Sequence, residues 1–585
     1  MFFGSPYPLT PLETASVDDH DSSGQSKGIY DYIIIGGGTA GCVLANRLSK
    51  NPALKVLLLE RGDARTGWAT RVPLMSTNFM GDESAAYRWP AAHPVGDSRL
   101  LSLVTGKGLG GGSSINSMQY TRGSPAEYNR WSESGRQGWS YAEIEPYFKR
   151  SENFVNAPVA TEHHGTQGEW SVRDMGGFTS PRRNRICVDA CAALGLPFCK
   201  DINDPAAPLT ACAKLDCTID AKSYRNSTFS AFLPSRLAEE RKSHLHICTG
   251  AAVTALDLEV GPNGQKLARG VSFQANETGS KILHARARRE VILCAGAIAT
   301  PQILLLSGIG PKDKVKQPLM AELPGVGQNL VPRPHGHGIM YGVPTDQSLH
   351  IIQTSRLRAI VELFRYIAFG EGLFLSPVTQ LSILVDSNLI DESGHILPRT
   401  DTEPANLPDL ELMPVHFNYS DPPIPIEAGV LSLKVGLMRP RSRGTVALAS
   451  DDPLHRPACD LAFLTDPADL AVMRKGIRLA KRIGEKMREL GTALKDLYMP
   501  DSESDADLDA FIRKTVRTTY HYGCTCRMAP ESDAGVVDDE LRVHGIQNLR
   551  IADCSVLPEM MSTHLQAPVV MIAERCADMI LSPNA

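Results

Sequence analysis

The first strong pattern along the chain begins at Tyr30. Tyr32-Ile33-Ile34-Ile35 is a short β-branched run, which predicts a strand buried on both faces, as in a parallel sheet. Gly36-Gly37-Gly38-Thr39-Ala40-Gly41 follows, and Cys42 to Leu48 reads as a helix. A second apolar strand, Lys55 to Leu59, ends at Glu60. Together these pieces have the length of a strand–helix–strand unit. A third apolar strand is expected over Glu290 to Cys294. The clearest helix spans 468–490, where Leu470, Met473, Ile477, Ala480, Ile483, Met487 and Leu490 recur every three or four residues. Asp466 is placed to cap it, Pro467 suits its first turn, and Gly491 stops it. Its Lys and Arg residues read as the solvated face. Leu357 to Phe369 is also helical, with Leu357, Ile360, Val361, Phe364 and Ile367 along one side. A helix packed on a sheet is expected there, with contact to lipid or a partner as the alternative. Residues 1–27 show little periodicity and read as a mobile tail or a loose wrap on the surface.

Composition narrows the class. Among 585 residues, 65 acidic and 60 basic side chains give a formal net charge of −5. That balance excludes the strongly basic domain or stripe of a nucleic-acid binder. Hydrophobic residues at 42% and charged residues at 21% supply ample cores without disorder. No run of about 18 apolar residues occurs, so no membrane span is expected. The N-terminus lacks a secretory pattern and the C-terminus lacks a Ser-Lys-Leu address, so an intracellular, cytoplasmic location is expected. The 13 cysteines are scattered without a disulfide-like framework, and Cys524-x-Cys526 is too close for the usual zinc spacing. Reduced thiols and no metal site are expected.

Gly36, Gly38 and Gly41 meet the G-x-G-x-x-G spacing of a dinucleotide-binding turn. Such glycines allow a tight turn, a close approach of pyrophosphate and tight helix–strand packing, while the helix N-terminus beyond them offers free N–H groups to phosphate, and Thr39 and Ala40 within the turn are expected to bind the cofactor with them. Glu60 lies 19 residues past Gly41 at a strand end, placed to accept from a ribose 2′-OH and to repel a 2′-phosphate. These residues do not choose between FAD and NAD. The Gly106–Asn116 cluster, with Gly108 and Gly111 inside it, is too glycine-dense for a helix. It supplies a flat backbone surface suited to a flavin ring and its diphosphate.

At this point the chain resembles the glucose–methanol–choline (GMC) oxidoreductases, a family of FAD-dependent alcohol oxidases and dehydrogenases. Four stretches carry the resemblance: Tyr30–Gly62; Gly106–Asn116 with Tyr120-Thr-Arg-Gly123; Gly296–Gly310, which fits the second family signature; and His521–Asp578. The resemblance implies a mixed α/β (α+β) fold. In it, a Rossmann-like FAD-binding domain (28–125, 222–330 and 535–585) interleaves with a substrate domain built on an antiparallel sheet flanked by helices (126–221 and 331–534). It implies non-covalent FAD, because Ile115 stands where some members carry a linking His. Three departures stand out: Gly112 where the family often has Ser, Val331-Pro-Arg-Pro-His335 where Asp-His is common, and Cys524 where Gly is common.

The resemblance also implies site residues. Val253 falls where the family's backbone meets adenine. Asp553 falls near the ribityl and phosphate section, a helix cap being the alternative, and Ala567 joins the cofactor positions. Asn116 faces the ring region or holds its own turn. His521 and His564, 43 residues apart, match the family's catalytic pair. Alcohol oxidation removes a hydroxyl proton and a carbon-bound hydride, so a neutral imidazole is a suitable base. His521 is expected to take the proton while flavin N5 takes the hydride, and His564 to hold the substrate oxygen. His335, His337 and His416 read as structural or loop residues. Phe374, Phe417, Tyr419 and Tyr520 favour an apolar or aromatic primary alcohol. O2 or another acceptor would reoxidise the flavin, and oligomeric state is left open. Two other readings remain: a non-redox lyase or cyclase that keeps FAD, and a flavin scaffold without chemistry.

Overall fold

The computed structural model describes residues 6–17, 27–76, 82–93, 100–155, 162–175, 181–315, 317–398, 406–418 and 424–582. Tyr419 lies outside them. The expected first unit is present: the strand Ile29–Ile35, the helix Thr39–Leu48 and the strand Val56–Leu59. The two strands pair in parallel, and every residue from Tyr30 to Ile35 is buried. They sit inside an eight-stranded sheet whose path runs 245–248, 56–59, 29–35, 283–293, 266–275 and 251–260. The first three neighbour pairs along that path are parallel and the last two antiparallel. Leu549–Ile551 adds to the strand Leu283–Leu293 in parallel. The strand expected over 290–294 is thus the C-terminal end of a longer one.

A second eight-stranded sheet runs 495–498, 334–343, 429–437, 410–415, 381–385, 211–214 and 198–199, with 517–518 paired to 334–343. All its pairs are antiparallel except the last, 198–199 with 211–214. The helix Pro467–Glu489 covers this sheet with its apolar stripe. The Asp466 carboxylate accepts from Ala468 N at 2.8 Å, a cap worth about 1 kcal/mol. Leu490, expected on the stripe, is the C-cap residue and is exposed.

Two sequence expectations change. Residues 6–17 are a fastened strap: the Tyr7 hydroxyl donates to Leu233 O at 3.0 Å, Thr10 N donates to Ile247 O at 2.8 Å, and Ala15 is fully buried. Buried Tyr7 and Ala15 anchor this piece where a loose wrap was expected. The helix Arg356–Phe369 forms as expected, but its apolar side does not pack on a sheet. Its buried residues are Glu362 and Tyr366, while Leu357, Ile360, Phe364, Ile367 and Phe369 are each more than 60% exposed. Glu362 turns inward because its carboxylate accepts from Leu373 N at 2.9 Å, and Tyr366 because its hydroxyl donates to Ser223 O at 2.8 Å. All 13 cysteines are free thiols.

Candidate active site

The two large sheets meet at one cavity of about 390 Å³. Its first wall is the glycine turn. Gly36 takes φ +100°, a left-handed conformation that favours glycine, and Gly38, Thr39 and Ala40 line the cavity. Thr39 and Ala40 open a helix whose first N–H groups have no intrahelical acceptor, so they suit a phosphate. Gly41 lies one layer behind: a Cβ there would meet Gly36 O at 1.9 Å. Gly41 therefore sets the approach of helix to turn and does not touch the cavity.

Glu60 lines the cavity, but its carboxylate is largely spent on backbone. It accepts from Gly37 N at 2.8 Å, Gly62 N at 2.7 Å and Gly108 N at 3.2 Å. Burial raises its pKa despite these donors. Gly108 is a donor to this acid and, like Gly41, is not a lining residue. Gly111, Gly112, Ile115 and Asn116 form the next wall. A Cβ on Gly112 would meet nothing within 4 Å, and one on Gly38 nothing closer than 3.9 Å. A small side chain at either position would therefore displace no protein atom.

Asn116 is held on all sides. Its Oδ1 accepts from Met118 N at 3.0 Å and Arg225 Nη1 at 2.8 Å, and its Nδ2 donates to Gln566 Oε1 at 2.8 Å. It holds the turn and also lines the cavity. Val253 lines the cavity from the strand Ala251–Val260. Asp553 lines it too and is a cap: it accepts from Gly296 N at 2.8 Å, Thr300 Oγ1 at 2.6 Å and Ser555 N at 2.8 Å. Ala567 is fully buried behind Leu565 and Gln566, which line the cavity in its place.

At the other end stand the histidines. His521 Nε2 lies 2.7 Å from His564 Nδ1, with both rings on the cavity. His564 Nε2 lies 3.0 Å from Glu411 Oε1, which also accepts from Ser382 Oγ at 2.6 Å. Burial alone would raise the Glu411 pKa, but His564, Ser382 and Arg333 bring it down to about 2. Burial, then the charges of His564, Arg333 and Lys434, hold His521 well below the usual imidazole range. His521 is therefore neutral at physiological pH and able to accept a proton.

Sequence reasoning missed three contributors. Glu411 sits on the strand Leu410–Val415 without a motif around it. Arg333, in the segment that departs from the family text, is fully buried and donates to Thr563 O at 2.6 Å and to Met561 O, fixing the loop before His564. Lys434 lines the cavity beside the histidines, and burial with the Arg517 charge pulls its pKa down to about 7. His335, read as structural, also lines the cavity, whereas His416 bonds Asn184 elsewhere. His337 lies on the strand Pro334–Val343. Of the described aromatic candidates, Tyr520 lines the cavity and Phe374 and Phe417 do not; Tyr87, Trp89 and Tyr522 do. Cys524, at the family's glycine position, takes φ +69° in a fully enclosed site.

A family model described as GMC oxidoreductase matches residues 30–335 with its N-terminal part and 440–573 with its C-terminal part. The oxygen-dependent choline dehydrogenase of Pseudomonas syringae pv. tomato is 34% identical over 568 residues, 94% of this chain and 93% of that protein. The protein of the same name from Burkholderia ambifaria is 34% identical over 567 residues, with the same shares. Among solved structures, a formate oxidase of Aspergillus oryzae superposes with a TM-score of 0.82 at 26% identity, covering 94% of this chain and 98% of the other. An FAD-dependent oxidoreductase from Chaetomium thermophilum does so with a TM-score of 0.80 at 26% identity, covering 94% and 99%. The chain therefore belongs to the GMC oxidoreductase family of FAD-dependent oxidoreductases.

Proposed function

We propose that the enzyme oxidises a primary alcohol with an apolar or aromatic body to its carbonyl, His521 accepting the hydroxyl proton. One observation carries this reading: His521, in contact with His564 and through it with Glu411, shares a cavity with the glycine turn Gly36–Gly41. FAD, when bound, supplies the hydride acceptor. Gly38, Thr39 and Ala40 would hold its phosphates, Glu60 and Val253 its adenosine half, and Gly111, Gly112, Asn116 and Asp553 the section toward the ring. Ile115 offers no imidazole for a covalent link, so the cofactor is held without one.

The proton chemistry follows from the Glu411 carboxylate. It fixes a proton on His564 Nε2, and a second proton sits between the two rings. When His521 takes the substrate proton, the new positive charge spreads toward His564 and faces Glu411, so the imidazolium beside the developing alkoxide has a ready counter-charge. With both ring nitrogens of His564 engaged, by His521 and Glu411, it acts on the substrate through His521 and not, as expected from sequence, by holding the substrate oxygen. O2 or another acceptor then completes the cycle.

The surroundings of the pair also bear on substrate charge. Lys434 and His335 line the cavity with Met413, Thr379 and Tyr520. The nearest acid, Glu411, is already committed to His564 and Ser382. A quaternary ammonium such as the choline in the relatives' names would meet Lys434 as a like charge wherever that lysine is protonated, at and below about pH 7, which favours an uncharged alcohol there. The two sheets, with the interleaving expected from sequence, support a cofactor unit (28–125, 222–330, 535–585) and a substrate unit (126–221, 331–534).

The test is anaerobic mixing of the holoenzyme with a panel of aliphatic, aryl and cationic alcohols, followed by air. Bleaching of the yellow flavin by uncharged primary alcohols is expected. His521→Ala should slow that bleaching about 100-fold or more. Turnover without bleaching, or a near-normal rate in the variant, would overturn the reading.

A further inference from the structure

We propose that the helix Arg356–Phe369 docks the enzyme on an anionic lipid surface. Leu357, Ile360, Val361, Phe364 and Ile367 follow the three- and four-residue spacing of one helix face, and Phe369 closes its last turn. Their exposures are 74%, 65%, 41%, 63%, 64% and 68%. Single exposed apolar residues are ordinary on a soluble surface, but a continuous stripe along four turns is not.

The helix is rigidly mounted. Ser355 Oγ accepts from Arg358 N at 3.3 Å at its start, and Gly370 ends it at φ +67°. On the inner side, Tyr366 and Glu362 tie it to Ser223 and Leu373. The apolar face is thus presented by bonds made on the opposite side.

Charge selects the occupant. Arg356, Arg358 and Arg365 flank the stripe against one acid on the helix, Glu362, which is buried and pairs with Arg358 at 2.8 Å and with Arg365 at 3.4 Å. Three arginines against this one acid leave the helix with a net charge of +2, and the first exposed acid, Glu371, follows its end 3.9 Å from Arg365. An apolar face inserted at the acyl boundary with arginines at headgroup level is the pattern of an interfacial helix. A second copy meeting the same face about a two-fold axis would set the arginines of one helix near those of the other, which argues against a homodimer seam. No helix among the described residues is long and apolar enough to cross a membrane, so the contact is peripheral. A short turn at Leu373–Leu375 follows, and the chain then enters the cavity wall at Val378 and Thr379. The docked face thus lies close in sequence to the substrate end of the cavity.

The experiment is flotation of the holoenzyme with phosphatidylcholine vesicles, with and without phosphatidylglycerol. Flavin absorbance locates the protein. Wild type is expected to float with the anionic vesicles. The double substitution Ile360→Glu with Phe364→Glu should cut the floated fraction about tenfold or more, the scale of two large apolar side chains left in water. Its flavin content and activity on a water-soluble alcohol should stay unchanged. Leu357→Ser with Ile367→Ser serves as a second, charge-neutral variant. Failure of wild type to float, equal flotation on phosphatidylcholine alone, or equal flotation of both variants would overturn the proposal. So would a dimer in light scattering that the glutamates dissolve while wild type stays off the vesicles.

Discussion

Glu411 Oε1 stands 3.0 Å from His564 Nε2, across 153 residues of chain. It joins the middle of the antiparallel sheet to the loop that carries the second histidine. Glu411→Gln keeps the shape and removes the charge. We expect flavin reduction by substrate to slow about 10- to 100-fold with FAD content unchanged. The new imidazolium loses its counter-charge, so the acid limb of the rate profile should move to lower pH. Stopped-flow reduction across pH reads both effects, and an unchanged rate and limb would remove Glu411 from the chemistry.

Lys434 acts in the opposite sense. Its positive charge disfavours protonation of His521, whose pKa already lies well below the usual range. Wild-type reduction should therefore stay level as pH falls through 6.5, the ordinary His value. Lys434→Met removes the repulsion, and the acid limb should rise toward that value. A limb that stays in place would show that the lysine exerts no field on the pair.

The glycines of the cofactor wall should divide into two kinds. At Gly112 an added Cβ meets nothing within 4 Å, whereas at Gly41 it meets backbone Gly36 O at 1.9 Å. Gly112→Ser should purify with a full complement of FAD. Gly41→Ala should lose both FAD and several degrees of melting temperature, since backbone cannot move aside cheaply. Absorbance at the flavin band and thermal melts of both variants check this. Equal behaviour would mean the turn is laxer than its packing implies.

Away from the cavity, His164 Nδ1 lies 2.9 Å from Glu152 and Nε2 lies 2.9 Å from Asp201. Burial opposes its charge, but these two carboxylates raise its pKa to about 9. Because the folded value exceeds the unfolded one, the stabilisation is complete below about pH 6.5 and disappears as pH rises through about 9. We expect about 2 kcal/mol of stability to be lost across that window, after allowance for screening. Denaturant titrations at several pH values should show the loss in wild type and not in His164→Gln.

Much of the fold was legible because its signals are local. The run Tyr32–Ile35, the glycine turn and the stripe of the helix Pro467–Glu489 each declare themselves within a few residues. The histidine pair was legible only through its spacing and the resemblance. Glu411 was not, because all six residues of Leu410–Val415 are buried, so alternation could not mark which side chain faces the site. Arg333 lay in text that departs from the family and looked merely uncertain; it is the anchor of the His564 loop. The helix Arg356–Phe369 shows a different limit. Periodicity found its two faces, but which one is wet depended on a hydrogen bond to distant Ser223 and another to Leu373 just past the helix end.

One feature of the cavity bears on how the enzyme comes into being. Its walls take Gly38 from the first helix of the parallel sheet, and Asp553, Gln566 and Val569 from about 500 residues later. The strand Leu549–Ile551 that presents Asp553 also completes the sheet begun at Ile29. At synthesis rates of 5–20 residues per second, the glycine turn waits on the order of a minute for the residues that close its pocket. The nascent glycine turn thus has no finished cavity to offer, and loading of FAD is tied to the closing act of folding.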